Sequence, residues 1–302
     1  MKTLSIHRKG EIFLGQGGAT LEVLSDLFQE LFPEISPKYI DYLSLMAGIA
    51  AGRALVSAGS SLNDDIRREF AVVLGSAFGA VDSSQDFDHQ ALLKGPNTVN
   101  PMDFPNTVAN AAGSRIGIWL GLRGPNITLT NGGTSFIDAL GFAWEGLNGG
   151  LLNHCLVGAA DKIPHSIKAL APSTRPDSFR EGACLYWASC EGKADSLFEI
   201  VDYFAVQLGP DSSLPDGFLV RLNQLLEGVQ WLGCPQDLPF QDRFPRGIPF
   251  SYTDETISEL GLGGLDALDR FLTTTQSCGV IGAMSKNERK ISLLKVLIKR
   301  KR

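Results

Sequence analysis

The chain has 302 residues, 44% of them hydrophobic and 20% charged, with a net charge of −6. This length and composition are typical of a globular protein with one large domain or two linked halves. The acidic balance excludes the basic stripe of a typical nucleic-acid-binding protein, and no apolar run reaches the roughly 18 residues that span a bilayer. Residues 1–20 also lack the apolar core of a signal peptide. We therefore expect a cytoplasmic protein that binds no nucleic acid and has no membrane span.

Helix signals and apolar runs alternate through the first half of the chain. Pro37 precedes a helical pattern whose buried face includes Ile40, Leu43 and Ile49. In chain order the patterns predict a helix over 38–58, a buried strand over 70–79, an irregular polar segment over 80–103, a helix over 105–122, a buried strand over 126–130, a helix over 134–150 and a buried strand over 154–161. Continuous apolar strands of this kind are typical of a parallel sheet that is covered on both faces.

The second half is less regular. Its patterns predict two neighbouring strands over 182–192 and 197–208, a helix over 215–229, a Pro-rich loop over 232–256, a helix over 260–275 and a last strand over 290–298. Strands and helices therefore recur in both halves, which indicates an α/β protein.

The stretch GPNITLTNGGTSFIDAL, residues 124–140, predicts a strand, a tight turn and a helix. This layout often lifts a reactive side chain to the tip of the turn, yet the tip here is Asn131-Gly132-Gly133-Thr134, with no cysteine. Thr134 or Ser135 is better explained as the N-cap of the helix than as a nucleophile. On the same helix, Asp138 and Glu145 lie two turns apart, and we interpret them as a solvated or interface-paired face.

Cysteines and histidines suggest no metal or nucleophilic site. The five cysteines form no C-x-x-C pair, and Cys155 and Cys184 lie in apolar runs that predict buried, reduced thiols. No histidine follows His165, and the short cluster from Asp86 to His89 indicates a solvated turn. We expect no metal site.

Glycine-rich and basic segments also have simple structural interpretations. The segments LGQGGAT, residues 14–20, and LGLGGL, residues 260–265, lack the spacing of nucleotide-binding loops, so we expect no cofactor. The basic run Lys299 to Arg302 indicates either a solvated tail or a docking point for an acidic partner.

One long stretch resembles the β-ketoacyl synthases, whose fold is that of the thiolases. Residues 95–161 follow the family's order of a Pro-containing loop, a helix of small residues, a Gly-Pro strand, a tight turn, a helix and a Gly-rich strand. The segment 173–195, with Arg175-Pro176-Asp177, Gly182 and Glu191, resembles the stretch that follows in the family. The resemblance implies a layered α-β-α-β-α fold of two βαβ-type halves in one compact unit. Its halves would be residues 1–165 and a shortened second half, 166–302.

The departures from the family pattern concern its catalytic residues. Alignment on Gly124-Pro125 puts Gly133 at the position of the nucleophilic cysteine. The family also uses two histidines in its second half, and none is present here. The positions near the family's lysine and second histidine are Thr253, Asp254, Thr256, Ile257 and Glu259. Because a glycine has no side chain to acylate, the resemblance implies a protein without autonomous condensing activity.

Relatives without the cysteine include the chain length factors, which pair with a catalytic β-ketoacyl synthase and shape its acyl tunnel in polyketide or fatty acid biosynthesis. The resemblance therefore implies a heterodimer with an active synthase, with an acyl carrier protein as a second candidate partner. The residues that it assigns to the partner interface or tunnel are Met102, Phe104, Asn106, Thr107, Asn131, Gly132, Gly133, Thr134 and Phe136. Of these, Met102 and Phe136 are expected to be neighbours that could close the tunnel.

Two alternatives remain open from the sequence. One is an acyltransferase or hydrolase with a rebuilt site that uses Thr134 or Ser135. The other is a homodimeric scaffold that binds acyl groups.

Overall fold

A computed structural model describes residues 3–14, 19–56, 62–170, 181–190, 196–211, 213–235, 238–240, 244, 248–253, 262–285 and 289–298. The strands of this part of the chain are β1 (Leu4–Phe13), β2 (Phe70–Gly75), β3 (Asn126–Leu129), β4 (His154–Asp161), β5 (Gly182–Ser189), β6 (Phe198–Gln207), β7 (Trp231–Pro235), β8 (Phe250–Thr253), β9 (Cys278–Ser285) and β10 (Lys290–Leu297).

The helices are α1 (Leu21–Leu31), α2 (Tyr42–Val56), α3 (Asp64–Glu69), α4 (Val81–Lys94), α5 (Ala111–Leu120), α6 (Ser135–Asn148), α7 (His165–Leu170), α8 (Phe218–Leu226) and α9 (Leu265–Thr273). Short 3-10 helices cover Pro96–Thr98, Pro101–Asn106 and Gly132–Thr134. None of the described helices combines the length and the hydropathy needed to span a bilayer.

The strands form one sheet that consists of two equivalent halves. The first half-sheet has the order β3-β2-β4-β5-β1, and the second, read from its far edge, has the order β8-β7-β9-β10-β6. In both, the three outer strands are parallel and the two inner strands are antiparallel to their neighbours. The halves meet where β1 pairs with β6 over three residue pairs. The chain therefore contains a structural repeat, as the resemblance implied.

The repeat holds at the level of single residues. Lys9, the sixth residue of β1, pairs with Tyr186, the fifth residue of β5. Tyr203, the sixth residue of β6, pairs with Leu294, the fifth residue of β10. Because the first repeat takes its last strand from β5, beyond residue 165, the strand order favours a division of the halves between β5 and β6. The first repeat then spans residues 4–189 and the more compact second repeat spans 198–297.

Helices cover the outer faces of both half-sheets and fill the space between them. Apolar side chains of α1, α2 and α5 pack on the outer face of the first half-sheet, and those of α8 pack on the outer face of the second. Between the half-sheets, α6 and α9 share one core with β2, β4, β5, β6, β9 and β10. The structure thereby confirms the α/β class and the layered α-β-α-β-α arrangement.

Several local predictions were wrong. Residues 80–103, predicted as irregular, contain α4, a surface helix without a buried residue. Asp86 to His89, predicted as a turn, lie on this helix. The segment 232–256, predicted as a loop, contains most of β7 and all of β8. The sheet is mixed, β1 lies between β5 and β6, and β3 is a half-exposed edge strand.

Candidate functional site

The turn between β3 and α6 keeps the predicted strand, turn and helix geometry. Gly132 has a φ of 57°, a left-handed conformation that suits glycine, and Gly133 is buried in the 3-10 helix that follows. The N-terminus of α6 also lies close to β2, since a Cβ at Gly75 would be 2.4 Å from the carbonyl oxygen of Ser135. The turn is thus fixed by backbone packing, and the position that the alignment gives to the nucleophile has no side chain.

The two hydroxyls beside Gly133 are buried and hydrogen-bonded. The Ser135 hydroxyl lies 2.9 Å from the Ser76 carbonyl oxygen and accepts a hydrogen bond from the Asn131 N–H. The Thr134 hydroxyl lies 2.9 Å from both the Asn131 carbonyl oxygen and Oδ2 of Asp138. Thr134 occupies the N-cap position, as predicted, but its side chain makes no cap hydrogen bond. Both hydroxyls connect α6 to its surroundings, and neither faces an open site.

The carboxylate of Asp138 is the centre of a buried polar cluster. Its side chain is 2% exposed and lies on α6 at the interface of the two repeats. Oδ2 accepts hydrogen bonds from Asn131 Nδ2 (2.7 Å), the Thr134 hydroxyl (2.9 Å) and Lys290 Nζ (2.7 Å), and Oδ1 accepts from the Tyr203 hydroxyl (2.8 Å) and the Ser292 hydroxyl (2.5 Å). All five of these donors belong to the protein itself, which indicates a structural role for the carboxylate.

Tyr203 reaches Asp138 because α6 has a glycine one turn later. A Cβ at Gly141 would lie 2.3 Å from the Tyr203 ring, so only glycine allows the ring to pack on the helix. Burial, and then the nearby Asp138 carboxylate, raise the pKa of the Tyr203 phenol well above its ordinary value. The phenol therefore stays protonated and donates its hydrogen bond at any physiological pH.

The second repeat contains an equivalent carboxylate. Asp269 follows Gly263-Gly264 at the same spacing at which Asp138 follows Gly132-Gly133. It lies on α9 and accepts a hydrogen bond from Lys9 Nζ of the first repeat at 2.8 Å. Each central helix is thus bonded to the opposite half-sheet. The predicted solvated or interface-paired face fits Glu145, which is exposed, but is wrong for Asp138, which is buried between the repeats. The repeated G-G-x4-D spacing was the signal for the true role of Asp138.

The predicted interface residues fall in two separate places. Met102, Phe104 and Thr107 lie on the surface, and the first two are 57% and 59% exposed. Asn106, between them, is buried. Phe136 is fully buried in the core between the half-sheets. The structure brings Asn131, Gly132, Gly133 and Thr134 together in the turn but separates Met102 from Phe136, because one is a surface residue and the other a core residue.

The residues near the family's second-half catalytic positions are described only as far as Thr253, the last residue of β8. Asp254, Thr256, Ile257 and Glu259 lie outside the described residues, as do Arg175-Pro176-Asp177, Glu191 and the basic run Lys299 to Arg302. In the described part of the chain, no group of three His, Cys, Asp or Glu side chains could hold a metal ion.

Comparison with known proteins agrees with this geometry. Residues 10–184 match the family model of the β-ketoacyl synthase N-terminal domain. The chain is 34% identical to 3-oxoacyl-[acyl-carrier-protein] synthase 2 of Vibrio cholerae over 143 residues, which are 45% of this chain and 34% of that synthase. It is 30% identical to nodulation protein E of a Rhizobium species, over 48% of this chain and 39% of that protein. The matches thus span little more than a third of the curated relatives.

Solved structures match over nearly the whole chain. A β-ketoacyl synthase from Burkholderia phymatum superposes with a TM-score of 0.73 at 16% identity, over 99% of this chain and 100% of that one. A ketosynthase in complex with its chain length factor, from Xenorhabdus doucetiae, gives 0.70 at 12% identity over 99% and 98%. A type II polyketide ketosynthase complex with its acyl-carrier protein gives 0.76 at 15% identity over 98% and 99%. At these identities the structures establish the shared fold, and the family model, which covers more than half of the chain, establishes that the protein belongs to the β-ketoacyl synthase family.

Proposed function

We propose that this chain is a non-catalytic ketosynthase-like subunit, similar in role to a chain length factor, that pairs with an active β-ketoacyl synthase. The observation that carries the proposal is Gly133, a buried glycine at the nucleophile position of an intact turn. Condensation by this family requires a thiolate that can hold an acyl group, and a glycine supplies none. The turn is retained without its reactive group, which is the pattern of a structural partner.

The surroundings of Gly133 support the same conclusion. Thr134 and Ser135 are fully buried, and their hydroxyls are engaged with backbone carbonyls and with Asp138. Neither is placed to attack a substrate carbonyl, which disfavours a rebuilt acyltransferase or hydrolase. The Asp138 carboxylate is buried and accepts hydrogen bonds from side chains of both repeats, so it does not face a substrate.

A surface for a partner lies along β3, the strand that leads into the turn. Among the described strands β3 pairs only with β2, so its other edge is open, and open edges readily pair with another chain. Next to it, Ile118 of α5 is 76% exposed and shares one groove with the exposed side chains of Met102 and Val108, which extend the apolar area. Exposed apolar side chains that cluster in this way mark interaction sites. In this proposal the surface pairs with the synthase, and the pair determines the length of a polyketide or fatty acyl product.

Co-expression with Cys-containing β-ketoacyl synthases of the same genome tests the proposal. We expect a stable heterodimer with one of them, measured by light scattering after size-exclusion chromatography. Ile118→Glu should abolish pairing because it places a charge in an apolar contact. The matched control is Val220→Glu, which changes an exposed side chain of α8 on the opposite outer layer and should leave pairing intact.

The purified chain alone distinguishes the alternatives. We expect no covalent adduct by mass spectrometry after incubation with acyl groups linked to an acyl carrier protein. An acyl group found on Thr134 or Ser135 would overturn the proposal in favour of a rebuilt enzyme. A stable homodimer with no affinity for any synthase would favour the acyl-binding scaffold.

A further inference from the structure

Tyr39 has a backbone conformation that tyrosine rarely adopts. Its φ is 64°, in the left-handed region, although it carries a bulky side chain. Such a residue persists only when its surroundings hold it in place, and such strain concentrates at functional positions. The Tyr39 side chain is nonetheless 43% exposed, so the conformation is not needed to complete a core.

Two side chains bind the backbone carbonyl group of Tyr39. Asn106 Nδ2 donates to the Tyr39 carbonyl oxygen at 3.0 Å, and Arg115 Nη2 donates to the same oxygen at 3.2 Å. Arg115 also donates to Oδ1 of Asn106 at 2.5 Å, which fixes the orientation of the amide. Since Asn106 is buried, it acts on the surface through the Tyr39 backbone. The strained conformation therefore presents the aromatic ring outward.

The ring lies where two surface grooves meet. One groove, of about 590 Å³, runs between α1, the 36–41 loop and α4. The other, of about 450 Å³, runs along α5 towards Ile118 and includes Met102 and Val108. Lys38 and Tyr39 line both grooves. The second groove is thus continuous with the apolar surface beside β3.

The two grooves differ in chemistry. The described residues that line the first groove include the carboxylates of Asp41, Asp86 and Asp103 but a single ammonium, that of Lys38. The second groove has no carboxylate among its described lining residues and exposes Met102, Val108 and Ile118. Its charged lining residues are Lys38 and Arg115. An occupant that crosses Tyr39 would therefore pass from a groove with apolar side chains and cationic groups to an acidic one. Charge complementarity favours a basic end in the first groove and opposes an acidic carrier protein there.

We infer that Tyr39 is the anchor of the subunit interface and receives a segment of the partner synthase with apolar side chains followed by a lysine or arginine. This inference rests on the proposed function. Tyrosine suits such a role, because it contributes a large contact area with little loss of conformational freedom and is enriched at energetically dominant interface positions. Asn106 is a positioning residue, since it holds the ring without meeting the partner.

The test measures the affinity of Tyr39 variants for the purified synthase that co-purifies with the wild-type chain. Tyr39→Ala should raise Kd by about tenfold or more, as for other interface anchors. Tyr39→Phe keeps the ring and should bind within about twofold of wild type, within the range of near-neutral contacts. The matched control is Leu219→Ala on α8, a site of similar exposure at 41%, which should leave Kd unchanged.

Three further variants test the contact made by the ring, its positioning and the charge of the first groove. Tyr39→Gly removes the ring but relaxes the left-handed backbone, so it should weaken binding while its Tm is at least that of the wild type. Asn106→Ala should raise Kd although the side chain is buried. In Asp86→Asn/Asp103→Asn, binding should depend less on salt concentration, because a screened attraction has been removed.

The outcomes are distinct. If the wild type binds the synthase and Tyr39→Ala and Tyr39→Gly bind equally well, this inference is wrong while the proposed function stands. If the wild type binds no synthase, both are overturned. Binding of an acidic acyl carrier protein that Tyr39→Ala abolishes would also overturn the assignment of a basic segment to this groove.

Discussion

The ammonium nitrogen of Lys290 lies 2.7 Å from Oδ2 of Asp138, and this ion pair joins the last strand of the second repeat to the central helix of the first. Asp138 lies on α6, five residues after Gly133 of the preceding turn. The side chains that approach this carboxylate do so from both repeats. Polar chemistry at this interface therefore stabilises the fold.

Replacement of Asp138 by alanine should destabilise the protein strongly. The substitution removes the carboxylate that accepts hydrogen bonds from the Lys290, Tyr203 and Ser292 side chains. These donors then lose their acceptor in a buried environment. We expect the free energy of unfolding to fall by about 3–5 kcal/mol, the usual cost of removing one member of a buried ion pair. Urea unfolding followed by circular dichroism measures the change.

The matched control for this variant is Glu145→Ala on the same helix. Glu145 is exposed, so its removal should change the free energy of unfolding by less than about 0.5 kcal/mol. Equal losses in the two variants would show that Asp138 has no special role.

Gly133→Cys should not create a condensing enzyme. The substitution places a thiol at the position that the alignment on Gly124-Pro125 gives to the nucleophile, but no histidine follows His165 in the sequence. Catalytic groups that act as a unit are strongly non-additive, so one restored member recovers little rate. We expect no condensation product by mass spectrometry from the variant alone, in an assay in which an active β-ketoacyl synthase turns over. Turnover by the variant would contradict the non-catalytic assignment.

The native cysteines should react poorly with thiol reagents. Burial raises the pKa of the Cys184 and Cys234 thiols to about 12, so at pH 8 about one molecule in ten thousand carries the reactive thiolate at either site. Burial likewise raises the pKa values of Cys155 and Cys278. Cys190 alone is half-buried among the five, all of which are described.

Titration with a disulfide reagent measures this difference. We expect at most one thiol to react promptly in the folded protein and all five to react in denaturant. Cys190→Ser should remove the prompt reaction. Rapid labelling of Cys184 in the folded state would show that the core opens more readily than its packing indicates.

Asp82 should contribute to stability in a pH-dependent way. Burial raises the pKa of Asp82, but hydrogen bonds from Lys162 Nζ (2.5 Å) and the His165 N–H (2.7 Å) outweigh it, and the pKa lies below its ordinary value of 3.8. Because the pKa is lower in the folded state, the ionised Asp82 stabilises the protein at pH values above the unfolded pKa. This stabilisation is lost as the pH falls through the folded pKa.

Comparison of the wild type with Asp82→Asn tests the sign. The wild type should be the more stable at neutral pH, and the difference in free energy of unfolding should narrow as pH falls below about 4, near the pKa of an unfolded aspartate. A difference that stays constant down to pH 2 would contradict this account.

The sequence predicted the elements whose burial follows a local pattern. The buried strands β2 and β4 and the helix α6 were found, because each is a continuous or periodic apolar segment bounded by turn residues. The helix α4 was missed because none of its residues is buried. The central strand β1 was missed because Lys9 and Glu11 interrupt it; the Lys9 charge is compensated by Asp269, far away in the sequence.

The position of Gly133 in the candidate site was predictable from the sequence, but the hydrogen bonds around Asp138 were not. Spacing from Gly124-Pro125 placed Gly133 in the turn, since strand, turn and helix are contiguous in the chain. The bonds of Asp138 were not predictable from spacing, because Tyr203 and Lys290 lie 65 and 152 residues away along the chain. The conformation of Tyr39 likewise depends on Asn106 and Arg115, which only the fold brings next to its carbonyl group.

The short strand pairing between β1 and β6 means that the two repeats depend on each other for stability. The backbones of these two strands pair over three residues only, Leu4–Ile6 with Phe198–Ile200. A polypeptide truncated after β5 would expose to water the side of α6 that packs on β6 and β10, together with the uncompensated charge of Asp138. Neither half is therefore an autonomous fragment, and the duplicated architecture is stable only as a whole.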